Sequence, residues 1–477
     1  MQRKRSDPMP EVMGQSSAPM ADLLPFSQVP VTSVLAIRMG KRMCSWPARM
    51  FRSGLFERKD IAMRNVILLS LGAFLTCLGA AVPTMTQEQP PSATKPRVIV
   101  LGVNGAEWDI IRPLLIRGEM PNLTWVIDRG ISGKLKTVSA PNCPKVYSIF
   151  ETSRPPEENG ITGFLVDGAA AHTGLLRVDP LWSLLSENGV SVGMANVPAT
   201  FPVKPVNGYM VSGMLTKGES CESGVLCSPL LSQVKGGEAV YPLALKTEIE
   251  AKVGDVPLDC ARMPGSRELI GHEEALVHDW LEQVSSIRAQ QAKLFEYLLS
   301  NHPTDFTFLV QSCEDRVGHW LYPIQPHNFG YNPKIHTLRV DAFPNQYREF
   351  DRLLGTILKH VDAGTTLFIV SDHGIKPLRD RESPFAHLDH AGTTPVIAKH
   401  DFEDGDDVPG LFIALGPGIK RNVRIMGLGM SVYDLAPTIL HIYGLPAPSP
   451  MKGRILTEIF DERKESTRSS LGGSYRH

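Results

Sequence analysis

The sequence has little cysteine and almost no net charge. Seven cysteines in 477 residues are too few for a scaffold built on disulfides and too scattered for an array of zinc fingers. The 49 Lys and Arg residues nearly balance 50 Asp and Glu residues, and this net charge of −1 argues against a nucleic-acid scaffold or a polybasic membrane binder. The composition that remains, 42% hydrophobic and 21% charged, is typical of a globular protein. The length suits two or three average domains, or one large α/β domain with insertions.

A long hydrophobic run is also missing from the N-terminal region. The apolar stretch Val66–Leu78 has about thirteen residues, fewer than the ~20 that span a bilayer. Basic residues precede it and the small residues Gly79–Ala81 follow it, which is the layout of a secretory signal. We therefore predict a prefix and signal at 1–81, a linker at 82–96, and an exported protein, periplasmic or extracellular, that begins near Val82. The alternatives are a buried helix or a single membrane anchor, through which the chain would then contact a membrane.

After residue 96, apolar runs of strand length alternate with segments of helical period. The run at Arg97–Val103 is typical of a strand buried on both faces. The other strand candidates are Ser191–Val197, Phe306–Gln311, Thr366–Val370 and Gly410–Leu415. The helix candidates are Trp108–Arg117, Asn122–Asp128, the apolar positions from Leu276 to Leu298, Gln346–His360 and Val432–Tyr443. This order predicts an α/β domain over 97–462, with a mostly parallel central sheet covered by helices on both faces, and a disordered tail at 463–477.

Residues 214–272 interrupt that alternation with scattered Gly, Ser, Cys and Pro. We expect an insertion there, a small cap over the sheet. Cys221 and Cys227 bracket a short loop and would form a disulfide after export, or else remain two unpaired thiols.

Polar residues with metal-binding chemistry lie where the predicted strands end, which is where doubly wound sheets bind ligands. Asn104 follows the first strand, and Asp406 lies just before the last one. Asp315 and His319 are one helical turn apart, a spacing that can serve one metal ion, and Asp372-His373 on a tight turn suits a second ion. Two zinc-like ions are suited to in-line displacement at phosphorus, because they clamp the attacking and leaving oxygens.

The chain also resembles a known family through an ordered set of motifs. These are Val98-Ile-Val-Leu-Gly-Val-Asn-Gly105, Pro121-Asn-Leu, Arg154-Pro-Pro-Glu-Glu-Asn-Gly-Ile161, Asn196-Val-Pro198, Pro205-Val-Asn-Gly208, Asp315-Arg-Val-Gly-His319, Ser371-Asp-His-Gly374, Gly416-Pro-Gly-Ile419 and Tyr433-Asp-Leu-Ala-Pro-Thr438. Together they resemble the type I phosphodiesterase/nucleotide pyrophosphatase branch of the alkaline phosphatase superfamily, from about residue 97 to 460. The resemblance implies an alkaline phosphatase-like α/β fold, two divalent metal ions, zinc above all, and a Ser or Thr nucleophile that forms a covalent phospho-enzyme.

Carried over residue by residue, the resemblance gives four matching metal ligands and three departures. The matching ligands are Asp315, His319, Asp372 and His373. Asn104 replaces the Asp ligand after the first strand, Asp406 replaces the last His ligand, and Cys143 occupies the position of the nucleophile. His387, His390 or His400 would be a substitute for the missing imidazole. An amide keeps a ligand oxygen but loses a negative charge, so we expect one metal to bind more weakly.

The Cys143 side chain has two possible roles. As a thiolate it is a soft zinc ligand and attacks phosphorus, whereas as a buried inert thiol it fills a former hydroxyl site. Ser148 is a fallback nucleophile that helical geometry directs elsewhere. A sulfatase is disfavoured because Pro144 comes one place too early, and Tyr147 replaces Arg, in the Cys-x-Pro-x-Arg pattern of that branch. We therefore expect a hydrolase of small phosphate esters or nucleotide-like diesters, the alternative being a non-catalytic member that binds an anion or a partner.

Overall fold

This computed structural model describes residues 95–219, 228–261, 274–327, 331, 333–378, 398–399 and 408–461. The predictions for the leader, the tail, Cys221 with Cys227, and the residues His387, His390, His400 and Asp406 lie outside these ranges. Among the helices described, none is both long enough and apolar enough to cross a bilayer.

The described residues alternate between strands and helices as the sequence predicts. The strands are Arg97–Val103 (β1), Ile131–Lys136 (β2), Leu165–Val166 (β3), Ala169–Ala170 (β4), Val192–Asn196 (β5), Gly208–Gly213 (β6), Val240–Tyr241 (β7), Phe306–Gln311 (β8), Thr365–Val370 (β9), Lys376–Pro377 (β10), Ala398–Lys399 (β11), Gly410–Leu415 (β12) and Val423–Ser431 (β13). The helices are Trp108–Ile116 (α1), Pro121–Arg129 (α2), Cys143–Thr152 (α3), Pro156–Asn159 (α4), Leu181–Glu187 (α5), Leu243–Lys252 (α6), Glu274–Asn301 (α7), Cys313–Leu321 (α8), Pro333–Leu358 (α9) and Leu435–Ile442 (α10).

Nine of these strands form one mixed, mostly parallel sheet. Its order is β13-β2-β12-β9-β1-β8-β5-β6-β7. Five pairs of neighbours are parallel: β9–β1, β1–β8, β8–β5, β5–β6 and β13–β2. By contrast, β12 runs antiparallel to both of its neighbours, and β7 runs antiparallel to β6. Three adjacent parallel strands, β9, β1 and β8, therefore have their carboxyl ends at the same edge.

Helices cover both faces of the sheet, and the side chains of β1 show why. Ile99, Leu101 and Val103 belong to a core packed with α1, α2, α7, α8 and α9, whereas Val98 and Val100 belong to a core packed with α3, α5 and α10. All five side chains are fully buried. A strand that is apolar on both faces has no face to offer to water, so it takes a central place with helices on both sides. This arrangement confirms the predicted fold class.

The described part of the predicted insertion is built into the edge of this sheet. β7 pairs with β6 as the last strand, and α6 packs behind it through Leu245 and Ile249. The same core contains Trp280 of α7 and Cys260. Cys260 forms a disulfide with Cys313, the first residue of α8. This covalent link ties the end of the insertion to the helix that follows β8.

Some predicted boundaries differ from the observed ones. The helix predicted from Gln346 begins at Pro333 and contains Pro344. Proline lacks the backbone N–H of a helix interior and usually marks a helix end, so the sequence favoured the shorter element. The helix predicted over Val432–Tyr443 starts with a 3₁₀ turn at Val432–Asp434.

Candidate functional site

The candidate site lies at the carboxyl ends of β9, β1 and β8. Asn104 follows β1, Asp315 lies in the first turn of α8 after β8, and Asp372 and His373 follow β9. Because these strands are adjacent and parallel, their ends bring the three segments together. The backbone N–H of Gly105 donates to Asp372 Oδ1 at 3.1 Å, which joins the β1 and β9 ends directly.

Cys143 is the first residue of α3 and reaches the site from the face of the sheet opposite to α8. Asn142 caps this helix, and its Oδ1 accepts a hydrogen bond from the backbone N–H of Lys145 at 3.2 Å. The cap fixes where the helix begins and so where the sulfur lies. Cys143 Sγ is 3.9 Å from Asp315 Oδ2 and 4.0 Å from His373 Nε2. The thiol is fully buried.

Cys143, Asp372 and His373 form a cluster with the chemistry of a metal site. One ligand atom from each lies within 4.8 Å of those from the other two, and all three residues are buried. Asp372 Oδ2 is 3.1 Å from His373 Nε2. Thiolate, carboxylate and imidazole are the three ligand types that zinc binds in proteins.

Asp315 and His319 form a second pair on α8. Asp315 Oδ1 is 3.5 Å from His319 Nε2, and both residues are buried. The Nδ1 of His319 lies 2.8 Å from the carbonyl oxygen of Ala398, and the Nδ1 of His373 lies 3.0 Å from that of Gly374. Because a carbonyl oxygen only accepts, both imidazoles donate from Nδ1, and in their neutral form each presents Nε2 to the site. This outer-shell bonding is the usual one for metal-binding histidines.

Asn104 supplies a direct test of whether a cation fits. Its side chain is fully buried, and neither Oδ1 nor Nδ2 has a hydrogen-bond partner among the described residues. An unsatisfied buried polar group costs about 1–3 kcal/mol. A cation beside the amide would satisfy its oxygen, so Oδ1 of Asn104 fits a metal ion.

The electrostatics of the cluster lead to the same conclusion. Burial, together with the nearby carboxylates of Asp372 and Asp315, raises the pKa of the Cys143 thiol well above its ordinary value. Burial lowers the pKa of His373, but the same two carboxylates outweigh it and raise that pKa to about 9. The protein side of the site is thus short of positive charge. A divalent cation reverses this for a cysteine, since a coordinating thiol loses its proton.

Sequence reasoning missed the residues that hold α8 in place. Asp259 Oδ2 is 3.0 Å from Arg316 Nη2, and Asp259 Oδ1 accepts from Ser312 Oγ at 2.9 Å. The Cys260–Cys313 disulfide lies beside this ion pair. The two partners of the disulfide are 53 residues apart, and no spacing pattern marks them as a pair. The local signal was the charged triplet Glu-Asp-Arg at 314–316, whose outer members are as buried as the central one.

The structure brings together five of the predicted site residues and places Asn104 at the same edge of the sheet. The five are Cys143, Asp315, His319, Asp372 and His373. Asp406 lies outside the described residues. Ser148 does not join the cluster through any described contact: its Oγ donates to the carbonyl oxygen of Lys145 at 2.7 Å and accepts from Asn159 Nδ2 at 3.1 Å. The hydroxyl is therefore engaged by its own helix and by the end of α4.

Comparison with known proteins gives one family and several partial relatives. The model of the type I phosphodiesterase / nucleotide pyrophosphatase family matches residues 98–411. A 2,3-bisphosphoglycerate-independent phosphoglycerate mutase from Nostoc punctiforme is 36% identical over 146 residues, 29% of this chain and 25% of that protein. A putative extracellular sulfatase Sulf-1 homolog from Caenorhabditis elegans is 25% identical over 177 residues, 37% of this chain and 23% of that protein. The matched segments thus span only about a quarter of these curated relatives.

Among solved structures, the murine ectonucleotide pyrophosphatase / phosphodiesterase 5, inactive and in complex with AMP, aligns with a TM-score of 0.44 and 13% identity. That alignment covers 77% of this chain and 100% of the murine chain. A 2-O GAG sulfatase aligns with a TM-score of 0.47 and 14% identity, over 76% of this chain and 74% of that one.

Proposed function

The chain belongs to the type I phosphodiesterase / nucleotide pyrophosphatase family, as its motifs predicted, and on this premise we propose that it is an exported, metal-dependent hydrolase of phosphoric esters. The proposed substrates are small phosphodiesters and nucleotide-like pyrophosphates. The observation that carries the proposal is the buried cluster of Cys143, Asp372 and His373, with ligand atoms within 4.8 Å of one another.

The proposed metal site uses the donors at the carboxyl edge of the sheet. Two divalent cations, zinc being the best match to carboxylate and imidazole, would be held by Asn104, Asp315, His319, Asp372 and His373. Asp406 remains a proposed ligand. When bound, such ions would supply charge stabilisation for the nucleophile and the leaving oxygen of an in-line displacement.

Cys143 is the proposed nucleophile. The first turn of a helix favours a negative charge, and Cys143 is the first residue of α3. Its sulfur would form a bond to phosphorus as the bond to the leaving oxygen breaks, and water would then cleave the S–P bond and restore the thiol. The thiol proton has an acceptor nearby in Asp315 Oδ2, at 3.9 Å.

The decisive experiment measures bound metal and turnover on the same samples. Purified protein should contain about two zinc ions per chain by elemental analysis and hydrolyse bis-p-nitrophenyl phosphate, with p-nitrophenyl sulfate as the control ester. Cys143→Ala should abolish turnover, whereas Cys143→Ser, which keeps a nucleophilic atom, should retain part of it. Metal content in the alanine variant then separates two roles. An unchanged content indicates a nucleophile, and a reduced content indicates a ligand.

Asn104→Asp tests whether the metal site is only weakened. Restoring a carboxylate at the end of β1 should raise zinc occupancy at limiting metal, because it adds a negative charge to a buried donor set. Unchanged occupancy in a folded variant would show that the pocket around Asn104 no longer holds an ion.

A second candidate, a non-catalytic family member that binds an anion or a partner, is favoured by the state of Cys143. Its thiol is fully buried and its pKa is raised, so without cations it is neither charged nor exposed. Protein that stays metal-free and inactive across a range of zinc, manganese and magnesium supply would favour this candidate over the hydrolase.

Export has separate support from the Cys260–Cys313 disulfide. Disulfides persist in oxidising compartments and are rare where thiols are kept reduced. Fractionation of cells that produce the full chain tests this, with the mature protein expected outside the cytoplasm and the disulfide detected by mass spectrometry without reduction.

A further inference from the structure

A groove on the surface lies apart from the candidate metal site. It has a volume of about 430 Å³ and runs between α1 and the outer strands β2 and β13. None of the candidate site residues lines it. In the sheet, β12 separates β2 from the β9, β1 and β8 ends that carry the site. Its volume falls within the ~300–1,000 Å³ of pockets that bind small molecules.

The apolar part of this groove is unusually exposed at its rim. Trp108 is almost fully buried, and its indole N–H donates to the carbonyl oxygen of Gly133 at 3.1 Å, which fixes the ring. Ile116 and Met426, by contrast, are 86% and 88% exposed. Large apolar side chains beside a concave apolar surface mark a place where a ligand or a partner removes area from water.

The charged part of the groove has one sign. Arg112, Lys134 and Arg424 line it, and no acidic side chain does so among the described residues. Arg112 lies over the Trp108 ring, 5.8 Å from its centroid, and its only described ion pair is an exposed contact of 3.9 Å with Asp109. Three cationic side chains around an apolar groove complement a molecule that has an anionic head and an apolar tail.

Two features of the groove argue against larger occupants. The β13–β2 ladder shifts register between Ile425 and Met430, and such an irregularity disfavours the addition of another strand at that edge. Apart from Ile116 and Met426 at the rim, the apolar lining also lies between a helix and two strands, whereas a bilayer surface is met best by protruding side chains.

We propose that this groove binds a single-chain amphiphile with an anionic head group, such as a fatty-acid carboxylate or an alkyl phosphate. The tail lies against Trp108 and Met426, and the head is held by Lys134 and Arg424. The proposal concerns a second ligand site and does not depend on the activity of the metal site.

Dodecanoate below its micelle concentration is the probe, and dodecyltrimethylammonium is the control of opposite charge. Calorimetry on the full chain should show saturable binding of one dodecanoate and much weaker binding of the cation. Binding of dodecanoate should also change the tryptophan fluorescence of the protein. Trp108→Phe should remove that change, which assigns it to Trp108 among the six tryptophans. Equal affinity for both amphiphiles, or no binding of either, overturns the proposal.

Charge reversal in the groove provides the matched comparison. Lys134→Glu with Arg424→Glu should weaken dodecanoate binding by about tenfold or more, because two attractive interactions become repulsive. Lys235→Glu, an exposed lysine outside the groove, should leave binding unchanged. If both variants bind alike, the head group is not held there.

Other occupants give distinct results. Sedimentation with phosphatidylglycerol vesicles, without binding of dissolved dodecanoate, identifies a membrane-docking surface and overturns the proposal. Self-association that Met426→Asp disrupts identifies a second copy of the chain and overturns it as well.

Discussion

At Gly105 the β1 end, the β9 end and α8 meet closely. Its φ is +67°, in the left-handed region, and a Cβ atom there would lie 2.8 Å from Asp315 Cα. Its N–H bonds Asp372 Oδ1, and its carbonyl oxygen accepts from Tyr347 Oη at 3.3 Å. Gly105→Ala therefore perturbs the site without removing any functional side chain. Gly118 is the matched control, because its φ is +72° and no described atom lies within 4 Å of its Cβ position.

The two alanine variants share one cost and differ in another. A left-handed conformation costs a non-glycine residue about 1–2 kcal/mol, and this applies to both positions. At Gly105 the new methyl group also meets the Asp315 backbone, which cannot rotate away as a side chain can. Such overpacking costs about 1–3 kcal/mol more. We expect losses of about 2–5 kcal/mol for Gly105→Ala and about 1–2 kcal/mol for Gly118→Ala.

Urea unfolding monitored by circular dichroism gives the two free energies, and zinc competition with a chromophoric chelator reports on the site. Gly105→Ala should also weaken zinc binding, since relief of the contact displaces Asp315 from Asp372. Gly118→Ala should bind zinc as the unmodified protein does. Equal losses of stability in the two variants, or unaltered zinc affinity in folded Gly105→Ala, would refute the close approach between the β1 end and α8.

Three further predictions concern the supports of the fold. Cys260→Ala with Cys313→Ala removes a disulfide between residues 53 positions apart, which corresponds to about 4 kcal/mol of chain entropy. Differential scanning calorimetry should show an unfolding temperature lower by roughly 5 °C. An unchanged unfolding temperature would contradict this prediction. Arg316→Met leaves the buried Asp259 carboxylate without its charged partner and should lower the free energy of unfolding in urea by about 3–5 kcal/mol. Adding Asp259→Asn to the same chain should restore much of that stability. Burial raises the pKa of Glu151 to about 8 from the usual 4.5, so unfolding between these values releases a proton and stability falls as pH rises. Glu151→Gln lacks that proton, and its stability relative to the unmodified protein should increase by up to about 1.4 kcal/mol per pH unit from pH 5 to 8. A constant difference across this range would mean that Glu151 titrates normally.

The strands that carry the site were predictable because they are mostly apolar and are buried on both faces. β8 and β12 begin and end where the sequence predicts, and β9 begins one residue earlier, at Thr365. A strand buried on both faces leaves an uninterrupted apolar run, and the polar residue that ends the run marks the carboxyl edge. Asn104 and Asp372 were found by this rule. The order of strands across the sheet, including the antiparallel β12, depends on long-range packing that no local pattern records.

The contacts that position α8 were not predictable for a related reason. Asp259 and Arg316 form an ion pair only because the chain from β7 and α6 returns to the β8 end, and Cys260 reaches Cys313 by the same path. Their sequence neighbours are a loop and a helix start, which predict exposed charges. In the folded chain both side chains are buried, and they form an ion pair because an unpaired charge in a core costs free energy.

Two of the departures that the resemblance implies lie among the described residues, and in the proposed metal site they would change the charge in opposite directions. Asn104 removes a negative charge relative to the aspartate that the resemblance places after the first strand. A thiolate at Cys143 adds one relative to the hydroxyl of Ser or Thr. Cations favour that thiolate, because they lower the pKa that burial and the carboxylates of Asp315 and Asp372 raise. A site with Asn104 and a Cys143 thiolate thus presents as many negative donors as one with aspartate and a hydroxyl. The loss at β1 is then offset at the start of α3, and neither residue's effect on metal binding can be interpreted without the other.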